Sequence, residues 1–289
     1  MDKPLLTIED LHLVFGQGQN AVHAVRGVSF NVGREKVGIV GESGSGKSQT
    51  GRAIMRLSPS TVNIVAKKMD FDGIPLLQQT ERQMRQIRGN RISMILQDPK
   101  FSLNPLMRIG DQVVEAYRVH HKVSRREARA RALKMLDAVR IRDCERVFNL
   151  YPHEVSGGMG QRVMIAMMLI PEPDMIIADE PTSALDVSVR KQVLSVLDEL
   201  LRQRGTALIF ISHDLNLVAE FCDRVLVMYA GRVVEDIAAR DLHKAIHPYT
   251  RGLLDSLPKL DQPRDVLSTL QRDPIWRDAP TIFHPREVR

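Results

Sequence analysis

The chain has 289 residues, 43% of them hydrophobic and 26% charged. That balance excludes disordered and collagen-like chains and leaves room for about two domains, or one large domain with an insert. The net charge of +6 reads as a solvated surface, with contact to an anionic partner such as nucleic acid or a membrane surface as the alternative, and with only 4% aromatics there is no set of stacking platforms for single-stranded nucleic acid. The longest apolar run, Val163 to Ile170, stops at Pro171, well short of the about 20 residues that cross a bilayer. Met1-Asp2-Lys3-Pro4 leads straight into strand-like sequence without a secretory pattern. Two cysteines, Cys144 and Cys222, are too few for a disulfide framework or a four-cysteine metal site, and a reducing, cytoplasmic setting is expected.

In chain order, residues 5–15 read as strand, broken by Gly16 and Gly18. Val28 to Val32 and Lys36 to Val40 are β-branched runs of strand length, the second followed by a glycine-rich turn and a helix over about Lys47 to Leu57. Asp70 to Gly73 reads as strand and turn, and Ile92 to Leu96 as a buried strand. From about Ser102 to Met159 helical periodicity takes over, with Leu133, Leu136 and Val139 in step. Met175 to Ala178 and Ala207 to Ile211 are apolar runs of the kind found in strands covered on both faces. The helix expected between them, about Val187 to Arg204, puts Val193, Val196, Leu197 and Leu200 on one face. Alternating strands and helices indicate an α/β core with the helical stretch inserted, and the polar tail after Pro258 is expected to be loosely ordered.

Gly41-Glu42-Ser43-Gly44-Ser45-Gly46-Lys47-Ser48 fits the phosphate-binding pattern G-x-x-x-x-G-K-S/T between a strand and a helix. Glycines let backbone N–H groups approach a phosphate, and the following helix presents its positive end. Lys47 is expected to reach the β- and γ-phosphates, and the Ser48 hydroxyl to ligate Mg²⁺. Asp179-Glu180 follows the apolar strand at its carboxyl end, where open α/β sheets bind ligands. Asp179 is expected to hold Mg²⁺, directly or through water, and Glu180 to act as general base on the attacking water.

Val155-Ser156-Gly157-Gly158-Met159-Gly160-Gln161-Arg162 resembles the L-S-G-G-x-x-Q-R signature of ATP-binding-cassette (ABC) ATPases, with Val155 in place of leucine. Gln97 after a strand, Ser183-Ala184-Leu185-Asp186 after the acidic pair, and His213 closing a later strand follow in the order of that family. The resemblance covers about residues 5 to 257. It implies a P-loop NTPase (RecA-like) α/β core, an N-terminal antiparallel β-subdomain and an inserted α-helical subdomain at about residues 102–160. Residues 1–257 would form the ATPase domain and residues 258–289 a short tail. The implied cofactors are ATP and Mg²⁺.

By the same resemblance, Ser156, Gly157, Gly158 and Gln161 of one subunit complete the nucleotide site of another, and Asp186 crosses that interface. Gln97 meets Mg²⁺ and the water and reports to the membrane partner. His213 meets the γ-phosphate and supports Glu180. Phe15, on an early strand shortly before the glycine loop, is the aromatic expected to stack on adenine.

Gln97-Asp98-Pro99-Lys100-Phe101-Ser102-Leu103-Asn104-Pro105 resembles the Q-D-P-x-x-S-L-N-P stretch of the dipeptide, oligopeptide and nickel importer ATPases of bacteria. His247-Pro248-Tyr249-Thr250 with Leu253 and Leu254 resembles their H-P-Y-T-x-x-L-L helix. This implies a peripheral subunit on the cytoplasmic face of the bacterial inner membrane. It would work with two transmembrane permeases, a second ATPase subunit (a related chain by subfamily habit, a copy of itself as the alternative) and a periplasmic solute-binding protein. Peptides, nickel chelates, opines and glutathione-like molecules remain open as cargo.

No cysteine follows Cys222, so the iron–sulfur tail of many subfamily members is not expected, and Pro274 and Trp276 receive no role. The alternatives are a non-transport ABC ATPase acting on nucleic acid or ribosomes, an exporter or lipid-system ATPase, and a P-loop kinase. Long coiled coils, zinc modules and a second cassette are not visible, the Q-D-P stretch opposes an exporter, and the serine–glycine–glycine signature opposes a kinase. Arg125, Arg126, Arg129 and Arg131 read as a solvated helix face, Met164, Met167 and Met168 as core filling, Cys144 and Cys222 as inert thiols, and His120-His121 as a pair without further ligands.

Overall fold

The computed structural model describes residues 3–98, 102–256 and 273–284. Pro99, Lys100 and Phe101 of the Q-D-P stretch, and the part of the tail from Pro258 to Arg272, lie outside the described residues. The chain forms two compact units, Met1–Gln78 with Ile209–Arg289, and Gln79–Leu208.

The first unit opens with strands β1 (Leu6–Phe15), β2 (Val22–Val32), β3 (Lys36–Val40), β4 (Val62–Val65), β5 (Lys68–Phe71) and β6 (Ile74–Pro75). Strands β1, β2, β4, β5 and β6 make an antiparallel sheet in the order β2-β1-β5-β6, with β4 also on β1. Along β1 the buried positions run Leu6, Ile8, then Leu11, Leu13. The change of parity falls at a bulge where Asp10 takes φ +53° and its N–H donates to Ser29 Oγ. An extra residue there keeps both halves of the strand facing the core. The expected strand at Val28–Val32 starts earlier, at Val22, because β1 supplies ladder partners as far as Phe15↔Val22. Its first residues are exposed or half-buried, so no hydrophobic run marks them.

Helix α1 (Lys47–Ile54) follows β3 and stops short of Leu57, with Arg56 at φ +50° just beyond it. The other sheet of this unit takes the order β12-β11-β10-β3, then the end of β9, where β9 is Ala207–Ser212, β10 Arg224–Tyr229, β11 Arg232–Ala238 and β12 Ile282–Phe283. β10 runs parallel to β3 and turns back into β11 through Ala230 and Gly231, both at positive φ, the geometry of a tight hairpin. Arg224 is buried between Asp236 (2.9 Å) and Glu35 (2.8 Å), so its charge is paired on two sides.

In the second unit a capping box of Thr80 and Gln83 starts helix α2 (Glu81–Ile87). Strands β7 (Ile92–Ile95) and β8 (Met175–Asp179) pair in parallel, and every residue of both is buried. Each such aliphatic side chain contributes about 1.5–3 kcal/mol on burial. Between them in the chain stand α3 (Ile109–Arg118), α4 (Arg125–Ala138), α5 (Cys144–Phe148) and α6 (Gly157–Leu169). A Cβ on Gly110 would lie 2.1 Å from the Phe148 ring, so glycine sets the approach of α3 to α5. Helix α7 (Val187–Arg204) has the expected bounds and buries the expected Val193, Val196, Leu197 and Leu200 together with Leu194 and Leu201. Asp186 caps its start and Gly205, at φ +62°, its end.

The arginines of α4 lie on an exposed face, where Arg125 pairs with Asp111, Arg129 with Glu145 and Arg131 with Glu127. Met164 is buried and Met167 and Met168 are half-buried. Burial pushes both cysteine thiols up from their ordinary range, which keeps them protonated.

Candidate functional site

Residues 41–48 leave the buried end of β3 and wrap into α1. Three glycines take positive φ: Gly41 (+151°), Gly44 (+81°) and Gly46 (+99°), the last capping α1. The surroundings explain two of them. A Cβ on Gly41 would lie 2.1 Å from the Met228 carbonyl oxygen, and one on Gly46 would lie 2.5 Å from the Ala24 carbonyl oxygen. Gly44 faces open space. We therefore expect Gly41→Ala to cost about 2–4 kcal/mol, read as a lower denaturation midpoint at unchanged slope. Gly44→Ala should cost only about 1 kcal/mol, the backbone strain alone.

The loop is held from several sides. Gly231 N–H donates to the Ser45 carbonyl (3.1 Å), and Glu42 N–H donates to the Tyr249 hydroxyl (3.0 Å). Lys47 is 5% exposed, and its ammonium donates to the carbonyls of Gly41 and Glu42, both at 2.8 Å. Ser48 is half-buried in the first turn of α1. Glu42, Ser43, Gly44, Ser45, Tyr229 and Ala230 line an open cavity of about 200 Å³. A buried ammonium, a helix N-terminus and an unobstructed glycine together fit a phosphate group.

At the end of β8, Asp179 is buried and Glu180 half-exposed. Glu180 has φ +47°, a conformation that costs an L-residue about 1–2 kcal/mol and is held by the turn that follows. There the Ser183 N–H (3.3 Å) and hydroxyl (3.2 Å) both donate to the Glu180 carbonyl. Gln97, exposed just after β7, directs Nε2 to Glu180 Oε2 at 3.4 Å. The parallel β7–β8 register thus brings together two residues 83 apart in sequence. In the first unit, His213 is exposed directly after β9, and Asp214 beside it caps α8 (Leu215–Phe221). Phe15 ends β1, half-buried, opposite Val22 and Val62.

Ser156 caps α6 by accepting from Met159 N–H (3.3 Å). Asp186 caps α7 by accepting from the Ser188 and Val189 N–H groups. Those bonds, from Val189 first and then the Ser188 hydroxyl, hold the exposed Asp186 carboxyl below its usual range. Both helix starts open onto one cavity of about 580 Å³, lined by Ser156, Gly157, Gly158 and Asp186. A Cβ on Gly158 would meet Val189 of α7 at 2.6 Å, so the close approach of the two helix starts needs glycine there. Gln161, one turn on, is 1% exposed and does not line this cavity. Its Nε2 is buried without a hydrogen-bond partner among the described residues.

The family model described as ABC transporter matches residues 25–183. The chain belongs to the ABC transporter family. It is an ABC ATPase, a nucleotide-binding enzyme that hydrolyses ATP. It is 51% identical over 257 residues to a probable peptide ABC transporter ATP-binding protein of Sinorhizobium fredii, covering 88% of this chain and 77% of that one. It is 46% identical over 272 residues to an oligopeptide transport ATP-binding protein of Escherichia coli, covering 93% and 80%. Among solved structures it resembles the ATP-binding cassette MJ0796 in a dimeric post-hydrolysis state bound to ADP and Pi. There the TM-score is 0.72 and the identity 28%, over 81% of this chain and 99% of that one.

Beyond the site residues expected from sequence, the ABC chain places Arg140, Arg142 and Gln192, and with them the signature's Arg162, on the cavity that opens at Ser156. Arg162 is tied down by donating to the Arg140 carbonyl and to Gln192 Oε1, both at 3.0 Å. Arg162 stands in the signature itself, whereas Arg140 and Arg142 lie in the loop between α4 and α5 and Gln192 on α7, and these three follow no spacing rule. Tyr249, from the H-P-Y-T stretch, is the other residue that no sequence pattern connects to the glycine loop.

Proposed function

We propose that the chain is the ATP-hydrolysing subunit of a bacterial importer that takes up peptides or similar small solutes through separate permeases. The relatives named above, and the Q-D-P and H-P-Y-T stretches, support that reading. The corresponding assembly is a peripheral one on the cytoplasmic face of the inner membrane, with two permease subunits, a second ATPase subunit and a periplasmic binding protein. Among the described residues no helix is long and apolar enough to cross a membrane. We divide the chain into an ATPase domain over residues 1–257, with the helical insert at about 102–160, and a tail over 258–289. The position of α3 to α6 between β7 and β8 supports the insert.

In this reading the loop 41–48 holds the phosphates of ATP, with Lys47 neutralising their charge. Ser48, Gln97 and Asp179 carry the oxygen atoms Mg²⁺ prefers, and the metal would offset charge on the phosphate oxygens. Glu180 accepts the proton of the attacking water as its oxygen bonds to the γ-phosphorus and the bond to the β-phosphate oxygen breaks. Gln97 orients that carboxylate through its hydrogen bond, and His213 supports the γ-phosphate. Phe15 stacks on the base.

The observation that carries the two-subunit reading is the cavity shared by two helix N-termini, at Ser156 and Asp186, on a chain that already has a complete phosphate loop. A hydroxyl, bare backbone and helix dipoles suit a second phosphate contact, contributed with Asp186 to the nucleotide of the neighbouring subunit, while the buried Gln161 stays outside that contact. ATP drives closure to the extent that it binds the closed pair more tightly than the open one. In the reconstituted transporter, Ser156→Arg should lower ATP turnover and uptake together by about 100-fold, as removal of a preorganised oxyanion donor does. Wild-type turnover in Ser156→Arg, with Lys47→Ala inactive, would reduce the chain to a self-contained triphosphatase.

A further inference from the structure

We infer that Tyr249 is a positioning residue for the phosphate loop, and that the segment 273–284 is the clamp that holds Tyr249 in place. The inference rests on the reading that residues 41–48 bind the nucleotide phosphates. Tyr249 is fully buried, and its hydroxyl accepts the Glu42 N–H at 3.0 Å. On the other side of the same residue, the Glu42 carbonyl accepts from Lys47 Nζ at 2.8 Å and from Ser45 N–H at 3.2 Å. One tyrosine hydroxyl therefore fixes the residue against which the loop lysine and the next turn of the loop are both set. A phosphate loop binds through N–H groups whose directions must be held before the anion arrives, and a misdirected peptide costs affinity.

The tyrosine is itself aimed. It lies in the first turn of α9 (Pro248–Asp255), where Pro248 fixes the entry and His247 Nδ1 accepts the Tyr249 N–H at 3.1 Å. Its ring packs on Tyr229 (centroids 4.5 Å apart) and on Trp276 (6.4 Å), and Trp276 also meets the rings of Tyr229 and His247, each at 6.3 Å.

Trp276 is delivered by the tail. Asp273 caps its turn by accepting from Ile275 N–H at 2.9 Å, and Asp278 pairs with Arg26 of β2. Thr281 donates to the Val233 carbonyl at 2.6 Å, β12 adds to β11, and His284 meets the buried Glu235 at 2.7 Å. The tail expected to be loosely ordered is thus, over residues 273–284, bound to this unit, and Trp276 acquires a role.

Two consequences separate this from plain packing. Tyr249→Phe keeps the ring and removes only the hydroxyl, so it should weaken binding of ADP and ATP about five- to tenfold, the effect of one lost buried hydrogen bond. It should raise KM in the same proportion and leave kcat within about twofold. Trp276 is the only tryptophan of the chain, so its emission reports on the clamp directly. By reciprocity of linkage, a loop that fills should shift that emission, and Tyr249→Phe should abolish the shift.

The experiment titrates the full chain with Mg·ADP, following both heat and Trp276 emission, in wild type, Tyr249→Phe, Trp276→Phe (heat only) and Lys47→Ala. The inference requires weaker binding in Tyr249→Phe and Trp276→Phe with the nucleotide-free chain still fully folded at the titration temperature, and a wild-type emission shift missing in Tyr249→Phe. Wild-type affinity in Tyr249→Phe while Lys47→Ala has lost binding overturns the inference and leaves the loop reading standing. So does a weakening accounted for by a smaller folded fraction of the free chain at the titration temperature. An emission that ignores saturating Mg·ADP overturns the clamp. Wild-type affinity in Lys47→Ala overturns the loop reading first, and the inference with it.

Discussion

Glu180→Gln is expected to bind ATP normally and hydrolyse it about 10²- to 10⁴-fold more slowly, the range that a positioned general base supplies. The substitution keeps the shape of the side chain and its ability to meet Gln97, whose Nε2 now faces Glu180 Oε2 at 3.4 Å. It also leaves the backbone untouched. Glu180 at φ +47° and the Ser183 bonds to its carbonyl depend on the main chain, so the turn after β8 should persist. What disappears is the proton acceptor. Single-turnover hydrolysis against nucleotide affinity measures this separately: turnover collapses while the dissociation constant stays. A Glu180→Gln preparation free of contaminating ATPase that turns over at the wild-type rate removes Glu180 from the role of base.

Lys47→Ala is expected to lower kcat/KM for ATP by about 100- to 1,000-fold, comparable to loss of one preorganised donor to a developing oxyanion. Lys47 is nearly buried and held by two loop carbonyls at 2.8 Å, so its charge sits where water screens it little. Lys47→Arg should not restore activity. A planar guanidinium does not fit the point position between the Gly41 and Glu42 carbonyls that an ammonium occupies. The loop glycines, and the bonds from Gly231 and to Tyr249, remain in either variant. Circular dichroism should therefore be unchanged, and calorimetric titration with Mg·ATP should show the loss. Retained binding in Lys47→Ala would mean that the phosphates are held elsewhere.

Much of the fold and of the loop is legible in residue order alone. The spacing of Gly41, Gly44, Gly46 and Lys47 is a code for local backbone conformation, and the positive φ values stand at those glycines. Helix α7 announces both ends, through the aspartate that caps it and the glycine that leaves it, with an apolar stripe between. The buried runs of β7, β8 and β9 are readable because continuous apolar sequence can only be satisfied by cover on both faces. Strand β2 reads too short from its residues, since its first residues are exposed or half-buried and owe their form to a partner strand. Gln161 stands in the signature, yet its side chain is buried away from the cavity that Ser156 lines, a matter of which way one helix is turned.

By itself, the sequence determined the chemistry offered to a nucleotide: the glycine loop with its lysine, the acidic pair after a strand, and the serine–glycine–glycine helix start. Each is a short run in which residue type and spacing dictate backbone shape and charge. Only the tertiary structure decided that Tyr249 would hold Glu42 across 207 residues of chain, that Trp276 would back it, and that Asp186 would share a cavity with Ser156. Such meetings arise from how whole elements pack to bury their apolar faces, and no local period in the sequence records them.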